Sequence, residues 1–130
     1  MRTLLPEGWP RPRGYSNGVE AQGRIVFVAG QIGWTPEGKF EATTFAGQFA
    51  QTLDNTLAVL GEAKAGPEHV ARMTWYITDK SAYLSALAEI GAIWREKMGP
   101  HYPAMAVLEV AALIEDAALI EIETTAVVPP

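Results

Sequence analysis

The sequence predicts an α+β fold, a small mixed sheet with two helices on one of its faces. Two stretches repeat apolar residues every three or four positions, and a single alternating apolar stretch separates them. Short apolar, β-branched runs stand before the first of these stretches and after the second. The resulting order is β-β-α-β-α-β-β, which places helices and strands in one layered unit.

Residues 1–18 contain Pro6, Pro10 and Pro12 and form an extended lead-in to a single domain spanning 1–130. Asn17-Gly18 and Gln22-Gly23 are turn signals, so a short strand over Val19–Ala21 is expected to pair as a hairpin with a buried strand at Arg24–Ala29. Gly33 to Gly38 is a loop. A helix starts at Thr43 or Thr44, either of which supplies a capping hydroxyl. Phe45, Phe49, Leu53, Leu57 and Leu60 form its apolar stripe, and Gly66-Pro67 is the expected stop, with Gly66 as the left-handed cap. Val70–Ile77 alternates, with Ala71, Met73, Trp75 and Ile77 on one face and Arg72, Thr74 and Tyr76 on the other. Asp79 or Ser81 caps a second helix whose inner face carries Tyr83, Leu84, Leu87, Ile90, Gly91 and Trp94, ending at Gly99-Pro100. Strands near Met105–Ala111 and Ala118–Val128 close the chain.

Composition narrows the function. The 130 residues are 48% hydrophobic and 19% charged, a globular balance. Net charge is −5 and no Lys/Arg block occurs, which argues against a nucleic-acid partner. No cysteine is present, which excludes disulfides, thiol nucleophiles and cysteine-held metal. No apolar run is long enough for a membrane span, and Pro6 interrupts the start before the apolar core of a secretory leader. A cytoplasmic protein is expected. No Gly-x-Gly-x-x-Gly, phosphate-loop or Gly-x-Ser-x-Gly pattern appears. His69 and His101 are far apart, lack metal-ligand spacing and read as exposed loop histidines. No cofactor or metal is expected.

Two features point further. The strands are apolar on both faces: Ile25 and Phe27 oppose Val26 and Val28. Two helices cover only one face, so the other is expected either against another copy of the chain or under loops. Glu121 and Glu123, two apart on one strand, share a face that is either solvated or lines a wet cleft, where a carboxylate can act as a base.

The chain resembles the RidA/YjgF family, also labelled endoribonuclease L-PSP, over almost its whole length. The resemblance rests on Arg13-Gly-Tyr-Ser16, Val26 to Ile32, Gln48 to Leu60 with Asn55, Trp75 to Asp79, Pro103 to Val110 and Ile120-Glu-Ile-Glu123, in that order. It implies a chorismate-mutase-like subunit and a homotrimer with small-molecule clefts between subunits. It also implies hydrolysis of reactive imines or enamines to a keto acid and ammonia. Carried over by position, Glu121 handles water, while Tyr15, Ala29, Gly30, Trp34, Gly99, Met105 and Val107 line the substrate site. One departure stands out. The family pattern Pro-x-Arg-[Ser/Thr] is here Pro103-Ala-Met-Ala106, so Met105 occupies the place of the arginine that holds the substrate carboxylate. Val107 replaces a frequent Cys, Ala29 a Ser, and Gly99 an Asn. Losing the arginine forfeits about 1.5–3 kcal/mol of charge-assisted bonding. Ordinary 2-iminopropionate deamination is therefore expected to be weak or absent, and a neutral or more apolar ligand is expected; Arg13 reads first as a solvated lead-in residue and second as a replacement cation. A non-catalytic metabolite- or partner-binding module is the alternative. The acidic charge weighs against a ribonuclease.

Overall fold

Thr44 is extended and its hydroxyl accepts the Gly47 N–H, so helix α1 begins at Phe45 and runs to Glu62 in the computed structural model, which describes residues 1–130. Its buried face carries Phe45, Phe49, Leu53 and Leu60, as the periodicity predicts. Thr52 and Thr56 are buried among them because each hydroxyl donates to a carbonyl one turn back. The helix stops short of Gly66. Ala63 closes it and Lys64, at φ 56, takes the left-handed turn. Gly66 is extended instead and opens a single 3-10 turn, Pro67–His69, where His69 Nδ1 accepts the Gly66 N–H. His69 is thus partly buried and tied to backbone, not an exposed loop histidine.

The remaining elements are strands β1 (Arg2–Leu4), β2 (Gly18–Glu20), β3 (Arg24–Ile32), β4 (Val70–Ile77), β5 (Ala104–Glu109) and β6 (Ile120–Val128), and helices α2 (Lys80–Ser85) and α3 (Leu87–Met98). The predicted second helix is therefore two. Asp79 caps α2 through the Ala82 N–H, and the Ala86 N–H closes on the Tyr83 carbonyl, a tight turn that breaks the α-helical ladder. The break turns Leu84 and Leu87 outward, where they are about half exposed, while Ala86, Ile90, Trp94 and Met98 are buried.

Four strands form one sheet in the order β3-β6-β4-β5, with only β4 and β5 parallel, joined by the α2–α3 crossover. Alternation then sorts the side chains. Val28, Met73, Trp75, Ile77, Ile120 and Ile122 face the helices and form the core with Phe49, Leu53 and Trp94. The expected β2–β3 hairpin is absent. Gly23 has φ 148, which leads the chain onward instead of reversing it, and β2 pairs antiparallel with β1. The Arg2 guanidinium donates twice to Glu20 across that pair. The lead-in thus folds back on itself and carries a strand of its own.

Buried Gln48 pins α1 to the loop before β6: its amide donates to the Ala42 and Ala117 carbonyls and accepts the Leu119 N–H. Gln48→Leu leaves those backbone groups without partners. The expected loss, about 2–4 kcal/mol by urea denaturation, follows from the desolvation cost of each; a change below about 1 kcal/mol contradicts the bridging role.

Candidate functional site

Strand parity divides the predicted site residues into two groups. In the parallel register Met73 stands beside Met105 and Trp75 beside Val107, so Met105 and Val107 share the helix-side face. Glu121 stands beside Tyr76, on the opposite, uncovered face. Within one chain the residue at 105 and the carboxylate at 121 cannot form a single site.

The helix-side group lines a cavity of about 1060 Å³ at the β5 edge of the sheet. Its floor is Trp75, Met105 and Val107, one wall is α3 with Ile90, Trp94 and Arg95, and its cover is the lead-in. Two hydrogen bonds hold the cover in place: the Ser16 N–H donates to Pro103 O and the Ser16 hydroxyl to Tyr102 O. Tyr15 therefore reaches the cavity, with Arg11 and Arg13 on the same segment. An aromatic series leads into it from the core, with ring centroids 4.8 Å apart for Phe49–Trp75, 6.0 Å for Trp75–Trp94 and 6.1 Å for Trp94–Tyr102. Tyr102 and Tyr83 line the cavity too, and burial raises the Tyr83 phenol above its ordinary value.

The second group is on the open face. Gly30 lies within the bulge between Val28 and Gln31 of β3, so close to Glu121 that a Cβ there would collide with the carboxylate. Glycine at 30 thus leaves room for the Glu121 carboxylate in this conformation. Ala29 precedes it and is exposed. Around them stand Ile25 at 59% exposure, Phe27 at 76% and Leu108 at 45%. Trp34 and Gly99 belong to neither group. Trp34 packs on Phe40 and its carbonyl accepts from Asn55. Gly99 caps α3 at φ 70 beside His101. No three His, Cys, Asp or Glu side chains converge on a possible metal position, and no helix is long and apolar enough to cross a membrane.

Sequence reasoning missed Arg95, Arg11 and the cavity role of Trp75 and Trp94, which read as a helix surface, a lead-in and core. The available signal was Gly91, a glycine inside a helix one turn before Arg95.

An α+β subunit with a mixed sheet, one bare sheet face and an edge cavity is the architecture defined so far. The Endoribonuclease L-PSP family profile matches residues 10–128. A RutC family protein of Pyrococcus abyssi is 34% identical over 125 residues, 95% of this chain and 94% of the relative. Among solved structures, a protein of unknown function of the conserved Rid family from Yersinia pestis superposes with a TM-score of 0.86 at 34% identity, covering 98% of each chain. The YjgF gene product of E. coli gives 0.67 at 30% identity, also over 98% of each. The chain belongs to the Rid/YjgF family.

On the open face the Tyr76 hydroxyl donates to Glu123 Oε1 at 2.7 Å. That bond, reinforced by the negative charge of Glu123 and Glu121 and opposed by Arg72, raises the phenol above its ordinary value of 10. The raised value means the proton is held more tightly in the folded state. Its stabilisation is present below pH 10 and is lost as pH rises through the folded value. In an ultraviolet titration, the signal absent from Tyr76→Phe should appear at higher pH than free tyrosine and move down in Glu123→Gln; no movement contradicts the assignment.

Proposed function

We propose that the protein is a homotrimer with small-molecule sites at the seams between subunits. There it hydrolyses an imine- or enamine-type metabolite, with Glu121 positioning the attacking water. One observation carries this reading: the Glu121 carboxylate is on the bare apolar face while Tyr15, Met105 and Val107 line a cavity on the helix side. A second copy seated on the bare face covers Phe27 and Ile25 and brings one chain's carboxylate toward the cavity of another.

The chemistry asks for a cation on the substrate carboxylate and a water directed at the imine carbon. Met105 supplies no charge, so a three-carbon imino acid loses its anchor on β5, and ordinary 2-iminopropionate is a poor substrate. A second reading, a non-catalytic receptor, is favoured by the side chains themselves: Met105 and Val107 of β5 and Ala29 of β3 carry no group that moves a proton.

Ammonia release from freshly generated 2-iminopropionate tests both readings. The wild type is expected to be slow, and Met105→Arg to raise kcat/KM by about 10–100-fold, the factor corresponding to a charge-assisted contact. Adding Glu121→Gln to Met105→Arg is expected to remove the gain while leaving ligand binding intact. Turnover that survives Glu121→Gln contradicts the assignment of the water to Glu121, and an inert Met105→Arg protein that still binds ligands favours the receptor.

A further inference from the structure

The cavity under the lead-in is electrically unlike the rest of the chain. The protein carries 15 acidic residues against 10 basic ones, yet the cavity is lined by Arg11, Arg13 and Arg95 and by no Asp or Glu. None of the three arginines is ion-paired; the ion pairs involve Arg2, His69 and Lys97. Unpaired surface arginines are ordinary one at a time. Three of them, from α3 and from the lead-in, around a cavity walled by Trp75, Trp94 and Tyr102 form a positive rim over an aromatic interior.

The local sequence accommodates that arrangement. Gly91 sits inside α3, where glycine costs about 1 kcal/mol relative to alanine. A Cβ built there would lie 3.3 Å from Arg95 Nη1, so the absent side chain leaves the bed on which the Arg95 guanidinium rests. A second, independent observation comes from the floor. Trp75 is 3% exposed, and its indole N–H is buried without any hydrogen-bond partner. A buried donor left unsatisfied is destabilising, and an acceptor on a molecule in the cavity would give it a partner once a small shift of the floor uncovers the nitrogen.

We infer that this cavity is a receptor for an amphipathic organic anion. A flat apolar body packs against Trp75, Trp94 and Met105, and an anionic head group is held by Arg13 and Arg95. The inference rests on the cavity being the ligand side of the proposed intersubunit site, and it names the class of molecule that side accepts. It replaces the expectation of a neutral or more apolar ligand with that of an anion carrying an apolar body. The cation missing from β5 is replaced by guanidiniums on two other walls, so a carboxylate is accepted when an apolar body separates it from the floor. A cavity of about 1060 Å³ has room for such a molecule and is oversized for a three-carbon acid. Arginine suits the role because its planar fork meets a carboxylate through two parallel bonds and stacks on aromatic rings.

Isothermal titration calorimetry on the full-length wild type, with phenylacetate, its neutral isostere phenylacetamide, and succinate, tests the inference. Phenylacetate is expected to bind at least about tenfold tighter than either of the others, as one charge-assisted contact implies, and to weaken as salt is added. Arg13→Met/Arg95→Met, with unchanged circular dichroism and thermal midpoint, is expected to bind phenylacetate no better than phenylacetamide. Absence of phenylacetate binding, equal affinity for the amide, tighter binding of succinate, or a preference that survives the double substitution overturns the inference. These titrations involve no turnover, so loss of the Glu121 chemistry would leave their result standing. Failure here would likewise leave the Met105→Arg ammonia assay unaffected.

Discussion

A sheet with helices on one side only has to dispose of its other side, and in this chain that side carries Ile25, Phe27 and Leu108 in the open. Burial of apolar area is worth roughly 25 cal/mol per Å², so an uncovered stripe of this kind is a standing drive toward association. The same face carries Glu121, Glu123 and Tyr76, whose hydrogen bonding and charge require water or a polar partner nearby. A surface that is apolar at β3 and polar at the β6–β4 centre suits a seam that buries one part and keeps a wet pocket at the other. The proposed assembly and the proposed chemistry both follow from this constraint.

The cavity on the helix side has a different origin. It exists because the lead-in returns across the β5 edge and is fastened at Ser16, so residues near the start of the chain become the cover of a pocket whose floor is near residue 105. That floor carries Met105 and no cation, and guanidiniums stand on α3 and on the cover. A change of cation position by one wall changes which anion fits, since the distance between charge and reacting carbon is set by which wall holds the charge. Met105 contributes deformable apolar surface to that floor.

Much of this architecture was legible in the chain because it depends on local periodicity. Met73, Trp75 and Ile77 take the buried face as predicted, although a register shift between Val70 and Arg72 buries Val70 in place of Ala71. Thr44 and Asp79 cap as their side chains allow, and the stripe from Phe45 to Leu60 is the buried face of α1. Pairings that depend on distant backbone were not legible. β2 pairs with β1 from the far end of the lead-in, and Ser16 meets Tyr102 across 86 residues. The cap at Gly66 failed because Lys64 took the left-handed position first. Met105 and Glu121 fall on opposite faces once β4 is known to lie between β5 and β6, but strand order is a tertiary fact that no local pattern encodes.

The most direct test of the central claim is the molar mass of the protein in solution, by sedimentation equilibrium, for the wild type and for Phe27→Asp. A charge at position 27 falls on edge strand β3, at the most exposed of the three apolar residues named on the bare face, and away from the cavity. The account predicts three chain masses for the wild type and dissociation toward one for Phe27→Asp, with the fold retained. A wild type that sediments as a single chain at all concentrations contradicts it.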